Sequence, residues 1–216
     1  MKPKLPDDLE IAPGYTVGCW KRLKLDPDVP NSDDWEKAVK IFDARIRKRF
    51  FHPVDVLIEH QSHSKKTFGF AILAIDFLVI ETLQGFREDE IDHKRISEKL
   101  FTNFLKQWGA FTACLPGGGD PKKFAGQVYH DYRCALHHSG STEGALRVGV
   151  SGAMFAFKND HEVKINRTCL HENLKHEFEV YLIDLRNPDR NDLRYNFKKK
   201  MDAICGLGSL PKASPN

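Results

Sequence analysis

The chain has 216 residues, and hydrophobic residues make up 41% of them, which suits one globular domain and excludes a disordered chain. Its formal charge of +3 is too small to mark a nucleic-acid partner, so any basic surface that matters has to come from local clustering. Five cysteines (Cys19, Cys114, Cys134, Cys169 and Cys205) lie scattered without a C-x-x-C pair, the pattern of thiols in a reducing compartment. The first residues show neither an apolar leader core nor an amphipathic Arg/Ser pattern. The longest apolar stretch, Phe68 to Ile80, falls short of the roughly 20 residues of a membrane helix. A cytoplasmic protein without a membrane segment is the expectation.

Residues 1–34 are rich in Pro and Asp and poor in apolar periodicity, and read as an extended arm holding at most a short turn. A helical domain is expected over 35–205 and a flexible tail over 206–216. Ser32 or Asp33 caps the first helix, along which Trp35, Val39, Phe42, Ile46 and Phe50 recur at helical spacing until His52-Pro53 ends it. Arg45, Arg47, Lys48 and Arg49 crowd its last turns, where they complement the helix dipole or offer a patch to RNA. The second helix, about Lys66 to Leu83, is apolar nearly all round and should be central. Asp76 and Glu81 sit in this run, and a carboxylate there must be paired, protonated or turned to a cavity.

Ile96, Leu100, Phe104, Leu105 and Trp108 stripe a third helix. The loop Leu115-Pro-Gly-Gly-Gly-Asp-Pro121 that follows lacks the Gly-Lys-Ser/Thr ending of a phosphate loop. The fourth helix is expected over about 121–138, with Phe124, Val128, Tyr132 and Leu136 as its core face. Tyr129, Arg133 and His137 form a neighbouring, more accessible stripe, and Ser139-Gly140-Ser141 stops the helix. Leu146 to Val150, Ala153 to Phe157 and Glu162 to Ile165 read as short strands, the last two a hairpin turning at Asn159-Asp160, so that a small β-hairpin occupies about 146–167. Two more helices follow, striped by Leu174, Phe178, Tyr181, Leu182 and Leu185 and by Leu193, Phe197, Met201 and Ile204. The fold class is mainly α.

The residues that carry chemistry are Arg133 and His138, with Tyr129 and Tyr132 upstream as contacts to substrate. Arg holds a phosphate through a permanent charge and a forked donor set. An imidazole takes and gives protons near neutral pH. Together they suit RNA cleavage by the 2′-hydroxyl, in which a fixed cation stabilises charge developing on the phosphate. Neither a metal nor a cofactor is needed. His130, Cys134, His137 and His138 lack the paired segments of a usual zinc site, and His171 and His176 are five apart, not in the H-E-x-x-H arrangement.

The segment Phe124-Ala-Gly-Gln-Val-Tyr-His-Asp-Tyr-Arg-Cys-Ala-Leu-His-His-Ser-Gly-Ser-Thr142 resembles the signature helix of the HEPN superfamily, in which Arg is followed after four to six residues by His before a small-residue turn. The resemblance covers about Ser64 to Thr142. It implies a HEPN-like α-helical bundle, here with the β-hairpin inserted after the signature helix. It also implies metal-independent endoribonuclease activity of a toxin–antitoxin or phage-defence type, with RNA as partner, a homodimer, and an inhibitor or antitoxin protein. Arg133 would hold the scissile phosphate and His138 would be general base or acid, with His137 as the competing imidazole and Glu81 as a polar residue from an earlier helix. Active members commonly follow the Arg with Asn, Asp or His, where this chain has Cys134. The alternative reading is a non-catalytic HEPN-like domain that binds nucleotides, RNA or a protein partner.

Overall fold

The computed structural model describes residues 5–62, 68–134, 147–159 and 162–207, without the side chains of 61, 62, 132–134 and 159. Helices dominate. The chain divides into two compact units, one of Met1–Arg49, Gly85–Asp92 and Val180–Asn216, the other of Phe50–Gln84 and His93–Glu179.

In the first unit, the stretch expected to be an extended arm is folded. Strands β1 (Glu10–Ala12) and β2 (Tyr15–Thr16) pair antiparallel around Gly14, whose φ of 82° favours glycine, and helix α1 (Val17–Lys21) follows. Thr16 caps α1 by accepting from the Cys19 amide at 3.3 Å. Ile11, Ala12, Val17 and Trp20 are buried, and Trp20 Nε1 donates to Asp202 at 2.8 Å. Elements of two to five residues are too short to show a period, and four buried apolar side chains suffice to fasten them.

Helix α2 (Asp33–Ile46) opens as expected, with Ser32 Oγ accepting from the Trp35 amide at 3.1 Å and Asp33, Asp34 and Glu36 in the first turn. Its buried face carries Trp35, Val39 and Phe42. Phe42 stands 4.5 Å from Phe86, 5.8 Å from Tyr181 and 5.3 Å from Phe197, so these rings form the centre of the unit. Trp20 and Trp35 close edge-on against Phe197 at 6.0 and 5.9 Å. Phe197 belongs to helix α9 (Asn191–Ile204), where Leu193 and Met201 are also buried. Glu36 and Arg186 form a two-pronged ion pair at 2.8 and 2.9 Å. Arg194, buried, donates to the carbonyl oxygens of Pro27, Asn187 and Pro188 and to Asn191 Oδ1.

Pro53 does not end the first helical run. Arg47–Phe51 forms a π-helical turn, and helix α3 (His52–Ser62) starts directly after it, with Pro53 as its second residue. The π turn directly before it already interrupts the regular four-residue ladder, so a residue without an amide hydrogen is accommodated there and the helical run continues.

The second unit holds α3 and most of helix α4 (Gly69–Arg87), followed by helices α5 (Ser97–Gln107), α6 (Gly109–Thr112) and α7 (Pro121–Val128). Among the described residues α4 alone is long and apolar enough to cross a membrane, but most of it is buried in the protein. Phe77 of α4 packs edge-on against Phe101 of α5 at 5.2 Å. Strands β4 (Phe155–Asn159) and β5 (Glu162–Asn166) form the expected antiparallel hairpin, with residues 160 and 161 of its turn outside the described residues. Strand β3 (Arg147–Gly149) adds parallel to β5, so the order is β3-β5-β4. Met154, Phe155, Val163 and Ile165 are buried, and Phe111 and Phe124 meet the sheet at Phe155 (5.1 Å) and Phe157 (4.5 Å). Helix α8 (Arg167–Asp184) leaves β5 directly, its start capped by Asn166 Oδ1 accepting from the Cys169 amide at 3.2 Å.

Candidate functional site

Asp120 caps α7 by accepting from the Lys122 amide at 2.9 Å, and Pro121 takes the first helical position. After Val128 the backbone widens into a second π-helical turn, Tyr129–Cys134, which carries Arg133. The side chains of Tyr132, Arg133 and Cys134, and the whole of Leu136, His137, His138 and the expected stop at Ser139–Ser141, lie outside the described residues. Tyr129, expected on an accessible stripe, is buried, with its ring 5.7 Å from Phe101. Tyr129 follows buried Ala125 by one regular turn and adjoins buried Val128, so the face of α7 that packs on α5 is wider than one four-residue stripe and takes the ring in. The expected accessibility of Tyr129 is therefore corrected to a core contact.

Glu81 is also buried, and Ser97 Oγ donates to its carboxylate at 2.6 Å. It therefore holds the start of α5. An open groove of about 650 Å³ runs between α5 and α7, walled by Glu98 and Lys106 on one helix and by Lys122, Lys123 and Gln127 on the other. His130, the second residue of the π turn, stands at its edge 3.4 Å from Glu98. Three lysines against Glu98 and Asp120 leave the groove with a small positive excess.

A second cluster in the same unit is only half visible in the sequence. Asp76 on the buried face of α4 has no exposure, and of the three ways to accommodate a carboxylate in an apolar helix it takes the first, a partner. Its partner is His171 of α8, whose Nδ1 lies 2.9 Å from Asp76 Oδ1. His171 is itself fully buried on the face that carries Leu170 and Leu174, with Phe51 edge-on at 5.6 Å. Its other nitrogen, Nε2, lies 3.1 Å from Asp55 Oδ1 in the first turn of α3. Lys175, one turn beyond His171, reaches the same Asp55 oxygen at 3.0 Å and Glu172 at 3.4 Å. The network thus runs from a sealed carboxylate through an imidazole to a half-exposed carboxylate and a lysine.

Burial pushes the Asp76 carboxyl up to about 6, against the pull of its hydrogen bond to His171. Burial alone would lower His171, but the bonds and charges of Asp76 and then Asp55 outweigh it and hold the imidazole above its ordinary value. Burial likewise works against Asp55, yet Lys175 and His171 keep it below the usual carboxylate range. The imidazole accordingly sits as a proton-bearing bridge between two carboxylates. Donor atoms of Asp55, His171 and Glu172 all lie within 4.8 Å of one another, the one group of potential metal ligands among the described residues.

No family model, curated protein or solved structure matches the chain.

Proposed function

We propose that the chain is a metal-independent endoribonuclease with a HEPN-like helical bundle, acting in the cytoplasm as a toxin or phage-defence protein. Arg133 holds the scissile phosphate. His138, with His137 as the competing imidazole, takes the proton from the 2′-hydroxyl as it attacks the neighbouring phosphorus and returns one to the leaving 5′-oxygen. Glu81 supports the site by holding α5 through Ser97.

The observation that supports this reading is where Arg133 sits on the backbone. It is carried on a π-helical turn that packs on α5 and continues α7, the two helices that wall the lysine groove. Such turns interrupt the regular ladder and are frequent at functional sites. Lys106, Lys122 and Lys123 give an RNA backbone a path toward that turn. The proposal includes a homodimer, for which α4 offers an open apolar stripe of Phe70, Ala71 and Leu78 with Ile75 half-buried beside them, and an inhibitor or antitoxin protein as a further partner.

The test is incubation of the purified protein with a mixed single-stranded RNA in EDTA. Fragments ending in a 2′,3′-cyclic phosphate are expected, with cleavage abolished in Arg133→Ala and reduced about a hundredfold or more in His138→Ala. Absence of fragments with RNA still bound would favour the non-catalytic reading. Cleavage that needs a divalent ion, or that survives removal of both His137 and His138, would end the mechanism.

A further inference from the structure

The second cluster asks for an occupant that the cleavage reading does not use. His171 Nε2 and Asp55 Oδ1 face each other at 3.1 Å, and the Glu172 carboxylate lies within 4.8 Å of both. Two ligands held about 2.0–2.1 Å from one tetrahedral ion are roughly 3.3 Å apart, so the observed spacing is already that of neighbouring ligands. An independent feature concerns the other ring nitrogen. Nδ1 is bonded to Asp76, wholly buried, whose Oδ2 has no hydrogen-bond partner among the described residues. A carboxylate behind a histidine is the arrangement that orients an imidazole toward a metal ion and raises its strength as a ligand.

We propose that His171 Nε2, Asp55 and Glu172 bind a divalent transition-metal ion of the zinc type, with Asp76 as the buried carboxylate that orients the histidine. Imidazole with two carboxylates favours zinc over magnesium or calcium, and water completes four-coordination. Lys175 holds the cation position through its contacts to Asp55 and Glu172. On binding, its ammonium swings away and the ion takes the place of the Nε2 proton, which passes to solvent. The three ligands come from α3 and α8, so the ion fastens those helices together. The site is separate from Arg133 and does not depend on the cleavage reading.

The experiment is calorimetric titration of the chelator-stripped full chain with Zn²⁺, alongside thermal unfolding with and without the ion. One equivalent is expected to bind and to raise the midpoint of unfolding. Lys175→Ala should bind roughly tenfold tighter, because a unit charge beside the ion is removed. Asp76→Asn should bind about 10- to 100-fold more weakly. Asp55→Asn and Glu172→Gln, whose side chains reach the surface, should fold normally and lose the site. Failure of Zn²⁺ to bind either wild type or Lys175→Ala would overturn the proposal, as would binding that persists unchanged in Asp55→Asn and Glu172→Gln. Cleavage in EDTA is a separate readout, so either reading can fail alone.

Discussion

Lys200 gives the sharpest stability test. It lies on α9 only 5% exposed, with its ammonium donating to the Glu90 carbonyl at 2.8 Å and standing 4.9 Å from the Phe86 ring. Burial pulls it from 10.5 down to about 8, although the charges of Glu90 and Asp89 resist. At 1.36 kcal/mol per pH unit, that gap makes the charged lysine about 3 kcal/mol costly to the folded state. Below pH 8 both folded and unfolded chains carry the proton and the cost is full. Between about 8 and 10.5 the folded chain has shed it while the unfolded chain keeps it, so stability rises with pH. Above that range neither form is charged and the cost is gone. Lys200→Met removes the charge and keeps the apolar stem, at a loss of about 1 kcal/mol for the hydrogen bond to Glu90. The variant should therefore be about 2 kcal/mol more stable than wild type at pH 7 and no more stable at pH 10.5. Urea unfolding of both proteins across this range measures the difference, in which other alkaline titrations cancel. A difference that stays flat with pH would refute the reasoning.

Two further outcomes follow from the packing and the groove. Phe42→Ala, which empties the centre of the first unit's ring cluster, should lower stability by about 3–5 kcal/mol in urea unfolding, and a loss below about 1 kcal/mol would mean that the cluster does not hold the unit. Replacing Lys106 and Lys122 by Glu should weaken single-stranded RNA binding and flatten the plot of log K against log salt by about 0.7 for each phosphate that the protein no longer neutralises. An unchanged slope in filter binding would show that RNA does not follow the α5–α7 groove.

The helices are legible because their apolar residues repeat over several turns. The Trp35-Val39-Phe42 stripe, the Ser32 cap and the hairpin between Phe155 and Ile165 stand where the pattern puts them. The demand of Asp76 for a partner is legible too, as a matter of solvation, but its partner is not. His171 lies 95 residues away, and its spacing from Leu174 and Phe178 puts it on the apolar face of its helix without saying what it meets there. Neither π-helical turn shows in the pattern, since a stripe at intervals of four reads the same whether or not the ladder widens. Tyr129 is expected outside and lies inside because the buried face takes in two neighbouring stripes, Phe124 with Val128 and Ala125 with Tyr129, where the pattern marks only the first. The hairpin around Gly14 is hidden for the opposite reason: Ile11, Val17 and Trp20 are too few and too unevenly spaced to form a pattern, although burial makes them structural.

Arg194 carries a consequence for how this chain tolerates sequence drift. Three of its partners are main-chain oxygens, and two of them belong to Pro27 and Pro188, residues that have an acceptor to offer and no amide hydrogen. A guanidinium has only donors, and these carbonyls offer only acceptors. Because the recognised atoms are common to every amino acid, the identities of the loop residues around Pro27 and Asn187–Pro188 are not what the contact reads. Substitutions there can accumulate so long as the loops keep their course. Arg194 has no such latitude, because lysine cannot span the same carbonyls with a single ammonium. Among diverged descendants of this chain, the position that stays constant should be the one that reads the backbone, while the segments it reads vary around it.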